Sequence, residues 1–294
     1  MADGWKVVHM KIVITAPFAA QQVEELKGQH EVLFSPQDDS TPLRSEEQLH
    51  SLLAEERAEI FITESDRVTA QVLEGLDDLK LLCVCRTGLN NIDIPACTDH
   101  GVALVNAPGR NAAAVADMVM ALFIDMSRFL FEGEKLLRSG QWDEGIYYRL
   151  RGHELYGNTV ATIGFGAIPK ELAKRISGFG MKMIAYDPYV SAEIMASYGV
   201  EKVTLEEAFS GGDYVTLHLP VTEQTRHMVN RDLLKLMKPS AYFVNAARSA
   251  IVVEEDVLEL LEKHQIAGAA FDVYEEEPLG LDSRFLKLDH TILI

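Results

Sequence analysis

Short runs of β-branched and aliphatic residues alternate with amphipathic stretches along the whole chain. In the first part the apolar runs fall at residues 11–15, 31–34, 59–63, 81–85 and 102–105. Between them, residues 21–27, 46–54 and 69–76 carry apolar positions at helical spacing. Continuous apolar runs read as strands buried on both faces, and strands separated by helices imply parallel pairing through right-handed crossovers. The second part repeats the rhythm at 159–163, 181–186, 214–217, 241–244, 269–271 and 291–294. The two parts share no sequence similarity, so the pattern predicts two separate α/β units with open parallel sheets. Pro108 and Gly109, within Asn106-Ala-Pro-Gly-Arg-Asn111, stop one strand and release the chain in a new direction. The expected domains are therefore residues 1–107 and 108–290. A long helix is predicted next, because Val115, Met118, Val119, Leu122, Phe123, Met126, Phe129 and Leu130 recur at helical spacing and Gly140 suits its end. Its many apolar positions fit burial between domains or subunits, or an ordinary core.

Composition narrows the class. The chain has 294 residues, 48% hydrophobic and 24% charged, enough apolar material for sizeable cores. That excludes a disordered tail and a disulfide-stapled miniprotein. With 27 basic and 45 acidic side chains the net charge is −18, so nucleic acid and anionic membrane surfaces are not expected partners. Cys83, Cys85 and Cys97 form no regular framework and read as reduced thiols of a cytoplasmic protein. No further Cys or His cluster closes a metal site around them. Asp3, Lys6 and Lys11 interrupt any leader-like core, and Asp117, Asp125 and Arg128 interrupt the longest apolar stretch. Met10 reads like a natural start, which makes residues 1–9 an extension.

Three constellations carry chemistry. The first is Thr159-Val-Ala-Thr-Ile-Gly164-Phe-Gly166-Ala167-Ile168-Pro169, a strand running through Gly-x-Gly into a helix. Gly164 suits the tight turn and Gly166 the close approach of a pyrophosphate. The helix start offers free N–H groups at Ala167 and Ile168. Asp187 ends the next strand about 20 residues further on, where an acid accepts hydrogen bonds from a ribose diol. Pro169 stands where a third glycine is usual, and a first helical turn tolerates it. The second constellation is Phe243-Val-Asn-Ala246-Ala247-Arg248-Ser249. An arginine just past a buried strand points into the crevice of an open sheet, and its fork matches a carboxylate. A surface ion pair is the plainer alternative. The third is Phe271-Asp272-Val-Tyr-Glu-Glu-Glu277-Pro278, either a solvated acidic loop or the source of a carboxylate that orients a histidine.

These blocks, with Arg86-Thr-Gly88-Leu89-Asn-Asn-Ile-Asp93 and Leu217-His218-Leu-Pro220 followed by Thr225, resemble the D-isomer-specific 2-hydroxyacid dehydrogenases. That family includes phosphoglycerate dehydrogenase and glyoxylate reductase. The resemblance runs from about residue 81 to the end. It implies a Rossmann NAD-binding domain inserted into a flavodoxin-like substrate domain, and pairing into a homodimer through the NAD-binding domain and its long helix. It also implies roles by position. Gly164, Gly166, Ala167 and Ile168 would hold the pyrophosphate and Asp187 the ribose. His218, Pro220, Thr225, Ala246, Ala247 and Asp272 would line the rest of the cofactor. Arg248 would hold the carboxylate and carbonyl of a 2-keto acid, and Arg86, Gly88 and Leu89 its carboxylate. Glu277 would polarise a catalytic histidine.

The chain departs from the family pattern in four places. Ser249 replaces the usual glycine after the arginine and is expected to restrict the backbone there. The loop after Arg86 is short. Thr63 and Glu64 stand where phosphoglycerate dehydrogenases carry an arginine, and an acid there disfavours a phosphate dianion. The family's histidine follows the last strand, and the sequence ends at Ile294 before reaching one. His290 lies on the wrong side of that strand, so a histidine shortly beyond residue 294 is expected. The overall expectation is an NAD-dependent oxidoreductase interconverting a small D-2-hydroxy acid and its 2-keto acid. The alternatives are phosphoglycerate dehydrogenase specifically, or a corepressor-like protein that binds NAD without catalysis. Retention of both Arg248 and Glu277 favours the enzyme.

Overall fold

In the computed structural model, which describes residues 9–37 and 42–294, the apolar runs pair as parallel strands in two sheets. The chain divides into two units, residues 1–110 and 111–294. Of the proposed N-terminal extension only His9 is among the described residues, and it is exposed.

The first unit holds β1 (Lys11–Ile14), β2 (Glu31–Phe34), β3 (Ile60–Thr63), β4 (Leu81–Val84) and β5 (Ala103–Asn106), in the order β2-β1-β3-β4-β5. This is the flavodoxin-like order. Side chains alternate between two apolar layers. Val13, Phe61 and Leu82 pack with Leu49, Leu53 and Val72 from the helices on one face. Ile12 and Ile14 pack with Phe34 and Ile62 on the other. The Glu46–Glu55 helix begins with a reciprocal cap, in which the Ser45 side chain accepts from Gln48 N and the Gln48 side chain accepts from Ser45 N.

The second unit holds β6 (Thr159–Ile163), β7 (Lys182–Tyr186), β8 (Glu201–Lys202), β9 (Tyr214–Leu217), β10 (Tyr242–Asn245), β11 (Gly268–Phe271) and β12 (Thr291–Leu293). Their order, β12-β11-β10-β9-β6-β7-β8, reverses direction between β6 and β9. Renumbered within the unit this is the Rossmann order with one strand added at the edge. β9, β10 and β11 are buried along their whole lengths, which explains why they read as unbroken apolar runs. The short edge strand β8 was not expected. Its two residues, Glu201 and Lys202, are charged and exposed and carry no apolar signal.

The long helix is the main correction. Its apolar spacing runs past residue 128, yet the structure ends one helix at Arg128 and starts another, Leu130–Arg138, with Phe129 in the left-handed region at φ 54°. The break exposes the Ser127 carbonyl, which accepts from His153 N at 3.0 Å. It also lets the buried Asp125 carboxylate accept from Phe131 N at 2.8 Å. The first helix packs Ala116, Val119, Phe123 and Met126 into the core of the second unit against Leu172 and Ile176. Gly140, at φ 74°, does follow the end of the second helix.

Candidate functional site

In an open parallel sheet, ligands bind beyond the carboxyl ends of the strands at the point where strand order reverses. In the second unit that point lies between β6 and β9, and the predicted cofactor residues follow the carboxyl ends of β6, β7, β9, β10 and β11. Gly164 follows β6 at φ 100°. A Cβ on it would lie 2.5 Å from the His218 carbonyl oxygen, so only glycine fits this turn. The direction of a Cβ on Gly166 is open, with no atom within 4 Å. The Ala167–Gly178 helix starts immediately after it without a side-chain cap. Ala167 N and Ile168 N have no acceptor among the described residues, which leaves the positive end of a helix with free donors over an open glycine. Pro169 occupies the third helical position, where it is buried and costs no needed donor.

Asp187, just past β7, is held by two backbone amides. Its Oδ2 accepts from Phe165 N at 2.9 Å and its Oδ1 from Tyr189 N at 2.8 Å. These bonds tie the glycine turn to the end of β7 and leave a lone pair on each oxygen for a ribose hydroxyl. Past β9, the His218 Nε2 lies 3.1 Å from Thr216 Oγ1, and its Nδ1 is buried without a partner among the described residues. Burial pushes the imidazole pKa down to about 3, so His218 is neutral at physiological pH. The loop that follows is locked by Thr225, whose hydroxyl donates to the Pro220 carbonyl at 2.7 Å and accepts from Thr222 N at 2.8 Å.

Past β10, Asn245 shapes the turn that carries Ala246, Ala247 and Arg248. Its Oδ1 accepts from Ala247 N and its Nδ2 donates to the Arg248 carbonyl, both at 3.1 Å. Sequence reasoning missed this residue. The signal was a polar side chain at the end of an apolar strand, and it is 2% exposed. The Arg248 guanidinium is exposed, and its only hydrogen bond among the described residues is to the neighbouring Ala247 carbonyl at 2.6 Å. It forms no ion pair there. Ser249 opens a 3-10 turn, Ser249–Ile251, with an ordinary negative φ, so this position does not require glycine and the expected restriction has no consequence.

Past β11, Asp272 N donates to the Asn245 carbonyl at 3.1 Å. Desolvation, and then the charge of Glu277, raise the Asp272 pKa. Glu277 in turn accepts from Tyr274 N at 3.0 Å. His290 sits at the opposite end of the sheet, where its carbonyl accepts from Ala269 N and its ring pairs with Asp289. It cannot reach the Asp272 loop, as its place ahead of β12 implies.

The first unit has its own cluster at the carboxyl ends of β3, β4 and β5. Arg86, Gly88 and Leu89 follow β4, and the amides of Gly88 and Leu89 have no acceptor among the described residues. The loop is stitched to the end of β5, since Asn106 Nδ2 donates to the Thr87 carbonyl at 2.8 Å and Ala107 N to the Arg86 carbonyl at 3.1 Å. Glu64 is not a bare acid. Its Oε1 accepts from Arg110 Nη1 at 2.7 Å, and Arg110 also donates to the Cys85 carbonyl. Thr63 is fully buried and donates to Asp66 at 2.7 Å. Cys83 and Cys85 have intermediate exposure, and burial raises both thiol pKa values, which keeps them protonated and poor nucleophiles.

Comparison with known proteins decides the lineage. Residues 120–294 match the family described as D-isomer specific 2-hydroxyacid dehydrogenase, NAD binding domain. The chain belongs to this family. D-3-phosphoglycerate dehydrogenase of Methanocaldococcus jannaschii is 36% identical over 285 residues, which cover 96% of this chain and 52% of that protein. The chain thus spans about half the length of that relative. Glyoxylate reductase of Thermococcus onnurineus is 37% identical over 78% of this chain and 70% of its own length. A protein of known structure from Thermus thermophilus superposes with a TM-score of 0.83 at 28% identity, covering 97% of this chain and 88% of the other. The second unit is therefore the family's NAD-binding domain, and its residues fit the dinucleotide. The glycine turn excludes any Cβ at residue 164, the helix donors after Gly166 are free, and Asp187 is fixed beside them. Among the described residues no group of three or more His, Cys, Asp or Glu is placed to hold a metal, and no helix is long and apolar enough to cross a membrane.

Proposed function

We propose that this protein is an NAD-dependent oxidoreductase that interconverts a small D-2-hydroxy acid and its 2-keto acid. The observation that carries the reading is Arg248. It stands past β10, beside the switch point of the NAD-binding domain, with a guanidinium that no acidic side chain among the described residues engages. Bound NAD supplies the hydride chemistry. The chain's own residues do the rest. Ala167 and Ile168 donate to the pyrophosphate, Asp187 takes the ribose hydroxyls, and the raised pKa of Asp272 suits a carboxyl group set against the nicotinamide end. Arg248 donates its forked N–H groups to the carbonyl oxygen and stabilises the charge that develops there. Within the first unit, the Gly88 and Leu89 amides and the Arg86 guanidinium offer donors suited to a carboxylate. Glu277, fixed by Tyr274 N at 3.0 Å, is the carboxylate that would orient a catalytic histidine.

Asp187 selects NAD over NADP, because a 2′-phosphate would meet its carboxylate and no Lys or Arg lies in Pro188–Ser191 to offset the charge. Calorimetry should show NADH binding at least about tenfold tighter than NADPH, and equal affinities would refute the assignment. Turnover of a panel of 2-keto acids by NADH oxidation tests the reaction. Arg248→Lys keeps the charge and loses the fork, so turnover should drop about 10²-fold or more while NADH affinity holds. We further propose a homodimer formed through the second unit. Large apolar side chains crowd its surface between residues 130 and 156, with Trp142 78% exposed and Tyr148 74% exposed. The free thiols Cys83, Cys85 and Cys97 support a cytoplasmic setting.

A further inference from the structure

Three loops meet at the carboxyl edge of the first sheet, and their charges nearly cancel. Glu64 follows β3, Arg86 follows β4 and Arg110 follows β5. Arg110 Nη1 donates to Glu64 Oε1 at 2.7 Å and also to the carbonyl of Cys85, the residue before Arg86. The other charges at this edge are already matched. Asp66 is 2% exposed, accepts from the Thr15 and Thr63 hydroxyls, and faces Arg44 at 4.0 Å. Arg67 faces Glu46 at 3.5 Å. Asp93 caps the Ile94–Asp99 helix through Ala96 N. Arg86 is the exception, since its guanidinium has no hydrogen bond or ion pair among the described residues.

We infer that Glu64, by neutralising Arg110, sets the charge of the substrate that this edge accepts, admitting a monoanionic 2-hydroxy or 2-oxo acid and rejecting one with a second, distal anionic group. This rests on the proposed reaction. One unmatched guanidinium, with the Gly88 and Leu89 amides beside it, provides for a single carboxylate. A distal carboxylate or phosphate would find Arg110 already engaged and would lie against the Glu64 charge, an interaction strong at a few ångströms in a partly buried site. Replacing Glu64 by glutamine keeps an acceptor for Arg110 and removes the charge, so the arginine becomes available to a second anion. Glu64 would then be a specificity residue that sequence reading treats as a bare acid and the structure shows to be half of a pair.

The test uses D-lactate and D-malate, which differ by one distal carboxylate, titrated by calorimetry into protein saturated with NADH. A hydroxy acid cannot be oxidised by the reduced cofactor, so binding is read without turnover. The native protein should bind D-lactate more tightly than D-malate. Glu64→Gln should raise the affinity for D-malate relative to D-lactate about tenfold, and added salt should shrink that gain. Arg110→Gln, which leaves the Glu64 charge unbalanced beside Arg86, should weaken D-lactate about tenfold with NADH binding intact. An unchanged D-malate to D-lactate ratio in Glu64→Gln overturns the inference and leaves the proposed reaction standing, and so does unchanged D-lactate binding in Arg110→Gln. If NADH binds and neither hydroxy acid does, the proposed reaction falls and the inference falls with it.

Discussion

Gly164 shows how one missing carbon decides a binding site. Its φ of 100° and the 2.5 Å approach of the His218 carbonyl to any Cβ act together. Gly164→Ala should therefore distort the turn to which we assign the pyrophosphate, weakening NADH by about 10²-fold or more in a fluorescence titration, with secondary structure intact by circular dichroism. His218 contributes a pH dependence whose sign follows from its burial. Its folded pKa is about 3, below the unfolded value near 6.5. Between these values the unfolded chain takes up a proton that the folded one refuses, so stability falls as pH drops below about 6.5, with a slope of up to ~1.4 kcal/mol per pH unit. His153, whose pKa burial also lowers, adds to the loss in the same direction. Urea unfolding of His218→Gln between about pH 4 and 7 should show a shallower slope than the parent, and equal slopes would place the acid sensitivity elsewhere.

At the scale of elements, the strands were legible and the helix break was not. Each apolar run from residue 11 to residue 293 became a strand within one or two residues, and the central strands β9, β10 and β11, buried along their whole lengths, are apolar nearly throughout. The break at Phe129 is dictated by a partner far along the chain. Helical spacing continues through Phe129 and Leu130, and nothing local interrupts it. What interrupts it is Gly152, which runs so close to the helix end that a Cβ would lie 2.2 Å from the Ser127 carbonyl, and His153 N, which takes that carbonyl's free lone pair. The glycine is required by approach and not by its φ. Gly152→Ala should force the two segments apart and cost about 2–4 kcal/mol in chemical denaturation. Gly178→Ala lies in open space and should change stability little in the same experiment.

Each of the two sheets places its loops at the carboxyl edge, and this is why much of the candidate site is legible in the sequence. Gly164, Asp187, Arg248 and Asp272 all stand within a residue or a few of a strand end, so locating the strands located the residues. The partners that hold them were hidden. Asn245 behind Arg248, and Arg110 against Glu64, act through contacts that no spacing rule predicts. The surface between residues 130 and 156 raises a different question, because an acidic chain of net charge −18 should repel its own copies unless a local apolar face outweighs the field. Phe131, Trp142, Tyr147 and Tyr148 are each more than 60% exposed in the single chain. Burying such side chains contributes ~1.5–3 kcal/mol each, and a handful of them exceeds the screened repulsion at physiological salt. Sedimentation equilibrium should therefore find a dimer whose dissociation constant rises as salt is removed. Trp142→Glu combined with Tyr148→Glu should give a monomer that still binds NADH, since neither residue is among those assigned to the cofactor. A double variant that stays dimeric would move the interface to another face of the second unit.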